Sequence, residues 1–250
     1  MQLVVSSSKN KCMNRRLVAK VQFVAKSEKG LVRNLNEDRF IAAENLLAVA
    51  DGMGGHLAGE VAAQIAIDTL KGTVIVDPVL DCLRNVFQVA NRTIFERGKN
   101  NKEQEGMGTT LTAVYLQDLK AYLAHVGDSR AYLICGDSIR QLTEDHSYVN
   151  QLVALGTLSK EEAKKHPQRN ILLRVLGIDE EIEVDVNEIS LNLGDRILLA
   201  SDGLFTDVSQ EKIAEILTKG LSIENTATEL IDAALAAGGK DNVTVVIGEV

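Results

Sequence analysis

The sequence predicts an α+β domain made of antiparallel β-sheets covered by helices, and three observations carry that prediction. Strand-like and helix-like stretches come in blocks rather than in strict alternation, which disfavours a doubly wound parallel sheet. Short runs rich in valine, leucine and isoleucine, bounded by Gly, Asp and Asn, recur along the chain. Apolar residues make up 45% of the chain and there are two prolines, a composition that supports a well-buried core.

Taken in order, Leu17 to Ala25 is valine-rich and reads as a strand. Arg39–Ala43 and Leu46–Ala50 read as a hairpin joined at Glu44-Asn45. The second of these runs stops at Asp51, and four glycines follow within eight residues, with His56 among them. Glycines of this density let the backbone turn sharply and approach a neighbour closely. From Glu60 the period changes: Val61, Ala62, Ile65, Ala66 and Leu70 mark a helix beginning near Ala58. A second helix carries Val79, Leu83, Val86, Phe87, Ala90 and Ile94 on one face, with Asp77 expected as its cap and Pro78 at its first position. Gly98 to Gly108 reads as a polar loop.

Thr110–Leu116, Ala121–Val126, Arg130–Ile134 and Ser138–Leu142 read as four short strands of an antiparallel meander. Residues 145–176, with Gly156, Pro167 and a capped segment from Ser159 to Glu162, read as a mostly helical insertion lying over the sheets. Glu181–Ile189 and Arg196–Ala200 return to strand. Ser209–Leu217 and Ser222–Leu235 are amphipathic helices with serine caps, and Asn242–Ile247 is the last strand. No repeat or linker divides residues 20–250, which are expected to form a single domain behind a basic, flexible leader, 1–19.

Charge and cysteine content narrow the function. The net charge is −8, yet residues 1–33 carry +7, leaving −15 on the remaining 217. An acidic body disfavours nucleic acid as a partner, because phosphate backbones reward clustered Lys and Arg. No apolar run approaches the ~18 residues that span a bilayer, and Leu3-Val4-Val5 is too short for a signal peptide. Cys12, Cys82 and Cys135 form no C-x-x-C pair and are odd in number, which points to a reduced, cytoplasmic setting.

The chemistry lies in acidic residues at strand ends: Glu37-Asp38, Asp51, Asp128, Asp202 and Asp241. Asp-Gly is the commonest turn dipeptide, so one copy means little. Here the device recurs, at Asp51-Gly52 and Asp202-Gly203, each closing an apolar run. Several carboxylates in one site need a counter-charge, and oxygen-only ligands favour Mg²⁺ or Mn²⁺ over zinc.

Six motifs then resemble one family. Asn36-Glu-Asp38, Asp51-Gly-Met-Gly-Gly-His56, Gly108-Thr-Thr-Leu111, Val126-Gly-Asp-Ser-Arg130, Ser201-Asp-Gly203 and Lys240-Asp-Asn242 occur in the order and spacing of the metal-dependent Ser/Thr protein phosphatases (PPM, type 2C), most closely the compact bacterial members. The resemblance implies a four-layer α-β-β-α sandwich, two packed antiparallel sheets with helices on both outer faces. It implies hydrolysis of phosphoserine and phosphothreonine on proteins by a hydroxide between two Mn²⁺ or Mg²⁺ ions. Asp51 would bridge the ions with the Gly52 carbonyl on the second. Asp202 and Asp241 would complete the first metal, and Glu37 and Asp38 would hold the second. Asp128, with Asp202, matches a third, weaker metal position. Arg33 matches the arginine that grips the substrate phosphate, and His56 is the candidate proton donor to the leaving group. The resemblance also implies a cognate Ser/Thr kinase as functional opponent, and the chain is expected to be monomeric, with no membrane anchor.

Rival readings differ in residues. A cysteine phosphatase needs C-x5-R and an aspartyl-phosphate enzyme needs D-x-D after a strand; neither pattern occurs. A non-catalytic phosphoprotein binder would be expected to lack a bridging aspartate, and a metal-dependent nuclease would want a basic surface. Thr109 and Thr110 read as packing residues, and His125, His146 and His166 as structural or surface residues.

Overall fold

The structure is a computed structural model and describes residues 21–43, 45–54 and 58–250. Its elements in chain order are β1 (Gln22–Glu28), β2 (Arg39–Ala43), β3 (Leu46–Ala50), β4 (Gly52–Met53), α1 (Ala58–Lys71), α2 (Val79–Asn100), β5 (Gly108–Thr109), β6 (Leu111–Gln117), β7 (Lys120–Val126), β8 (Arg130–Cys135), β9 (Ser138–Gln141), α3 (Tyr148–Ala154), α4 (Lys160–Lys165), β10 (Asp185–Ser190), β11 (Arg196–Ala200), α5 (Gln210–Thr218), α6 (Ile223–Ala236) and β12 (Val243–Glu249).

Two five-stranded antiparallel sheets, ordered β1-β12-β11-β8-β9 and β10-β7-β6-β3-β2, pack face to face. Alternation in single strands explains the layering. In β3, Leu47 and Val49 enter the core between the sheets, while Ala48 and Ala50 face the α1–α2 layer. In β11, Ile197 and Leu199 do the former, and Leu198 and Ala200 meet α5 and α6 on the opposite outer face. Leu83, Phe87 and Ile94 of α2 fill one outer layer, and Ile213, Leu217 and Leu230 fill the other. Ser209 and Ser222 cap α5 and α6, and Ser159 with Glu162 forms a full capping box on α4.

Four expectations need correction. The four central strands are not one meander: β6 and β7 belong to one sheet and β8 and β9 to the other. The chain crosses at Gly127-Asp128-Ser129, where Gly127 has φ +113° and a Cβ would fall 2.5 Å from that of Thr110. The cap of α2 is Pro78, not Asp77, and no side chain caps it. The 98–108 stretch is not all loop, since α2 runs to Asn100 and a short helical turn follows. The strand read over Glu181–Ile189 is Asp185–Ser190. Residues 145–176 carry two short helices separated by turns. The whole leader, 1–19, as well as His56, lies outside the described residues.

Candidate metal centre

Strand register brings the acidic residues to one end of the sandwich. Asp38 immediately precedes β2 and Asp51 immediately follows β3, in a hairpin that pairs Arg39 with Ala50. Asp128 sits in the crossing between sheets. Asp202 follows β11 and Asp241 precedes β12, where Ala200 pairs with Val245. Five aspartates from both sheets therefore meet at one rim.

Their surroundings hold each in place. Asp38 is 3% exposed, and its Oδ2 accepts from Ser201 Oγ at 2.8 Å and Thr244 Oγ1 at 2.6 Å. Thr244 in turn bonds Ser27, which takes the Asn36 amide. The other oxygen, Asp38 Oδ1, is buried without a partner among the described residues. Asp51 is fixed through its backbone: its N–H donates to Thr110 Oγ1 (3.0 Å), and its carbonyl accepts from Thr109 Oγ1 (2.9 Å). The two threonines thus do more than pack. Gly52 and Gly59 lie back to back, and a Cβ on Gly52 would fall 2.2 Å from the Gly59 carbonyl oxygen. That contact brings the first turn of α1 against Glu37, whose Oε1 would lie 2.8 Å from a Cβ on Gly59. Asn242 staples the Arg33 segment by taking Glu37 N–H (2.8 Å) and donating to the carbonyls of Lys29 and Leu35. Arg39 adds a clamp to the Asn36 and Asp38 carbonyls and to Glu60.

The cluster is short of positive charge. Burial, opposed by the Thr244 and Ser201 hydroxyls, pushes Asp38 up to about 7. Burial and then the charges of Asp38, Asp202, Asp128 and Asp241 push Asp51 well above the carboxylate range. Burial and Asp202 raise Asp128 to about 8, and burial and Asp241 raise Asp202 to about 6. Burial also raises Glu37, against the pull of Arg33. Arg33 Nη2 bonds Asp241 Oδ2 at 2.6 Å, which raises the guanidinium further.

These residues suit a hard cation. Carboxylates that repel one another, one of them with a buried oxygen lacking a donor among the described residues, are the donor set that a divalent ion would complete. As placed, no group of three or more His, Cys, Asp and Glu side chains among the described residues forms a ready-made ligand set. The reason lies in two partners: Asp241 is turned onto Arg33, and Asp38 spends one oxygen on hydroxyls.

Sheet order, crossing loop and acidic rim define a two-sheet scaffold that carries a cluster of carboxylates suited to a hard cation. The chain belongs to the protein phosphatase 2C family, whose model matches residues 19–152. It is therefore a metal-dependent Ser/Thr protein phosphatase of the type 2C class. The serine/threonine phosphatase Stp of Listeria innocua is 39% identical over 236 residues, covering 90% of this chain and 94% of that protein. The serine/threonine phosphatase PstP of Mycobacterium tuberculosis is 41% identical, and its crystal structure superposes with a TM-score of 0.87, covering 92% of this chain and 99% of the crystallised one. This chain spans 46% of the full mycobacterial protein. A PstP catalytic domain in complex with two manganese ions superposes at 0.85 with 39% identity, over 92% of this chain and 98% of that one.

Sequence reading missed the supports of the site. Ser201 and Thr244 on Asp38, Thr109 and Thr110 on Asp51, and Asn242 under Arg33 carry functions that only the fold makes visible. Their signal was position: each of the five lies next to, or within one residue of, a motif aspartate or strand end.

Proposed function

We propose that Asp51, Asp202 and Asp241 with Glu37, Asp38 and the Gly52 carbonyl hold two Mn²⁺ or Mg²⁺ ions, that Asp128 with Asp202 holds a third, and that Arg33 receives the substrate phosphate. The observation that carries this reading is the unpaired, buried Asp38 oxygen inside a set of mutually repelling aspartates. When bound, such a cation pair supplies an activated water and neutralises charge at phosphorus.

The chain's own residues do the rest. Thr110 fixes the Asp51 backbone, and Ser201 and Thr244 hold one oxygen of Asp38 and leave the other without a donor among the described residues. Arg33, half exposed, offers a planar fork whose second edge is free for two phosphate oxygens. His56 keeps its role from the sequence as the donor of a proton to the departing seryl or threonyl oxygen. The segment 145–176 would frame the entrance for a phosphorylated protein. The other finer assignments are a cognate Ser/Thr kinase and a monomeric, cytoplasmic enzyme. No described helix is long and apolar enough to cross a membrane.

The test is removal of divalent ions from the purified protein followed by graded return of Mn²⁺ and Mg²⁺, with phosphate release from a phosphothreonine peptide as the readout. Activity that returns with either ion supports the reading; activity untouched by chelation contradicts it.

A further inference from the structure

The turn that carries Asp128 is gripped at both ends by one dipeptide. The backbone N–H of His146 donates to the Gly127 carbonyl at 2.8 Å, and Gly127 N–H donates back to His146 Nδ1 at 3.1 Å. Next to it, Asp145 takes the Arg130 guanidinium on two prongs, Nε to Oδ1 at 2.9 Å and Nη2 to Oδ2 at 2.7 Å. Arg130 also lies over the Phe205 ring, 4.7 Å from its centroid, three residues beyond Asp202. Ser129, between them, bonds Thr110. Every residue of the turn except Asp128 is therefore tied to a named neighbour, and Asp128 is carried between them.

The Gly127 amide on Nδ1 fits the tautomer protonated at Nε2, although the Arg174 Nη1 donor also stands 3.3 Å from Nε2. An amide donor on Nδ1 requires a lone pair there, so the proton of the neutral ring sits on Nε2. Nε2 faces Asp185 Oδ2 at 3.1 Å, and Arg174 holds the same carboxylate at 2.9 Å. Burial favours the neutral ring. The His146 carbonyl closes the arrangement by accepting from Leu173 N–H at 2.7 Å. His146 is thus where both ends of the 147–173 segment meet the Asp128 turn. A histidine needed only for core packing would have no reason to direct its backbone and its ring at the same glycine.

We infer that His146, oriented by Asp185, is a positioning residue for Asp128: its δ nitrogen fixes the Gly127-Asp128 turn, and through it a cation bound by Asp128. This rests on the assignment of Asp128 to a metal. Metal–ligand distances tolerate about 0.2 Å, so a turn released from its anchor no longer presents the carboxylate correctly. Removal of groups that orient a ligand typically costs about 10–100-fold in metal affinity.

The experiment counts Mn²⁺ bound to the full chain by electron paramagnetic resonance titration, for wild type, Asp128→Ala, His146→Asn, His146→Gln and Asp128→Ala/His146→Gln. Thermal melts of the metal-free proteins accompany it. Asn places an acceptor where Nδ1 stands; Gln places its amide where Nε2 stands and leaves Gly127 unanswered. Asp128→Ala should remove the weakest binding step, and His146→Gln should weaken that same step roughly tenfold. His146→Asn should stay near wild type, and the double variant should lose nothing beyond Asp128→Ala. If Asp128→Ala leaves the titration unchanged, the metal assignment falls, and the inference with it. If Asp128→Ala removes a step and His146→Gln stays within twofold of wild type, the inference alone falls. Equal weakening by Asn and Gln also overturns it, because it marks packing rather than the Nδ1 bond. Should His146→Gln fail to fold, Asp185→Ala, at a half-exposed position, replaces it, and an unchanged weakest step there overturns the inference.

Discussion

Arg33 Nη2 and Asp241 Oδ2 meet at 2.6 Å across 208 residues of sequence. The pair sits at the rim, with Arg33 51% and Asp241 31% exposed, so it adds little to folding stability. Its importance is positional. The ion pair holds the guanidinium beside the acidic cluster, the place proposed for the substrate phosphate, and Asn242 ties down the segment that carries it.

Substitution of Arg33 tests that placement. A guanidinium that contacts the phosphate before and during the reaction contributes uniform binding, which appears in KM more than in kcat. The lost charge-assisted bond is worth about 1.5–3 kcal/mol, so Arg33→Ala should raise KM on the order of tenfold or somewhat more. Phosphopeptide and para-nitrophenyl phosphate should respond alike, since both present the same group. Arg33→Lys should recover part of the loss, because a point charge lacks the two-pronged geometry. KM values within about twofold of wild type for Arg33→Ala would assign Arg33 to the solvated surface.

A second prediction concerns the metal-free protein. Asp202 and Asp51 are half-buried among further aspartates whose charges raise both, so their charges oppose folding when no cation is present. Asp202→Asn removes one charge and can donate to Asp51. It should raise the melting temperature of the metal-free protein, by about 2–4 °C for each kcal/mol of repulsion relieved, while stabilisation by Mn²⁺ is lost. A lower metal-free melting temperature would show that Asp202 is not a repelling charge in the fold.

The same cluster sets a pH dependence. In the folded chain Asp38 and Asp128 hold protons up to about 7 and 8, whereas unfolded aspartate loses its proton near 3.9. The folded state binds the extra protons, so their contribution to stability is full below pH ~4 and is lost as pH rises to about 8. His125 acts with the opposite sign in a different range. Buried and neutral, with its value lowered to about 3, it costs stability as pH falls below about 6.5. Between pH ~6.5 and ~8 the carboxylates act alone, and the metal-free melting temperature should fall across that window. Saturating Mn²⁺ should flatten or reverse the slope, because the ion takes the place of the protons. A metal-free melting temperature that rises across the window would contradict the assignment of raised carboxylates.

Much of this was legible from local pattern. The Leu46–Ala50 run ending at Asp51 is β3, and the helix expected to begin near Ala58 is α1. Serine caps at 159, 209 and 222 were readable because capping is a contact within one turn. What escaped needed long-range pairing. Nothing local distinguishes strands that continue a sheet from strands that cross to another, so β6 to β9 read as one meander. Likewise the Thr244 hydroxyl lies 206 residues from Asp38, and no spacing rule joins them. The aspartates were visible as motif residues, whereas the hydroxyls and amides that aim them were visible only in the fold.

The most direct test of the whole account is phosphate release from a phosphothreonine peptide under saturating Mn²⁺ by wild type, Asp51→Asn, Asp202→Asn and Asp241→Asn. Circular dichroism confirms that each is folded. An amide keeps the shape of the side chain but removes the charge that holds and neutralises the cations. All three folded variants should lose Mn²⁺-dependent hydrolysis while wild type retains it. Retention of most of the activity by any one of them would contradict the assignment of these aspartates to the metal centre.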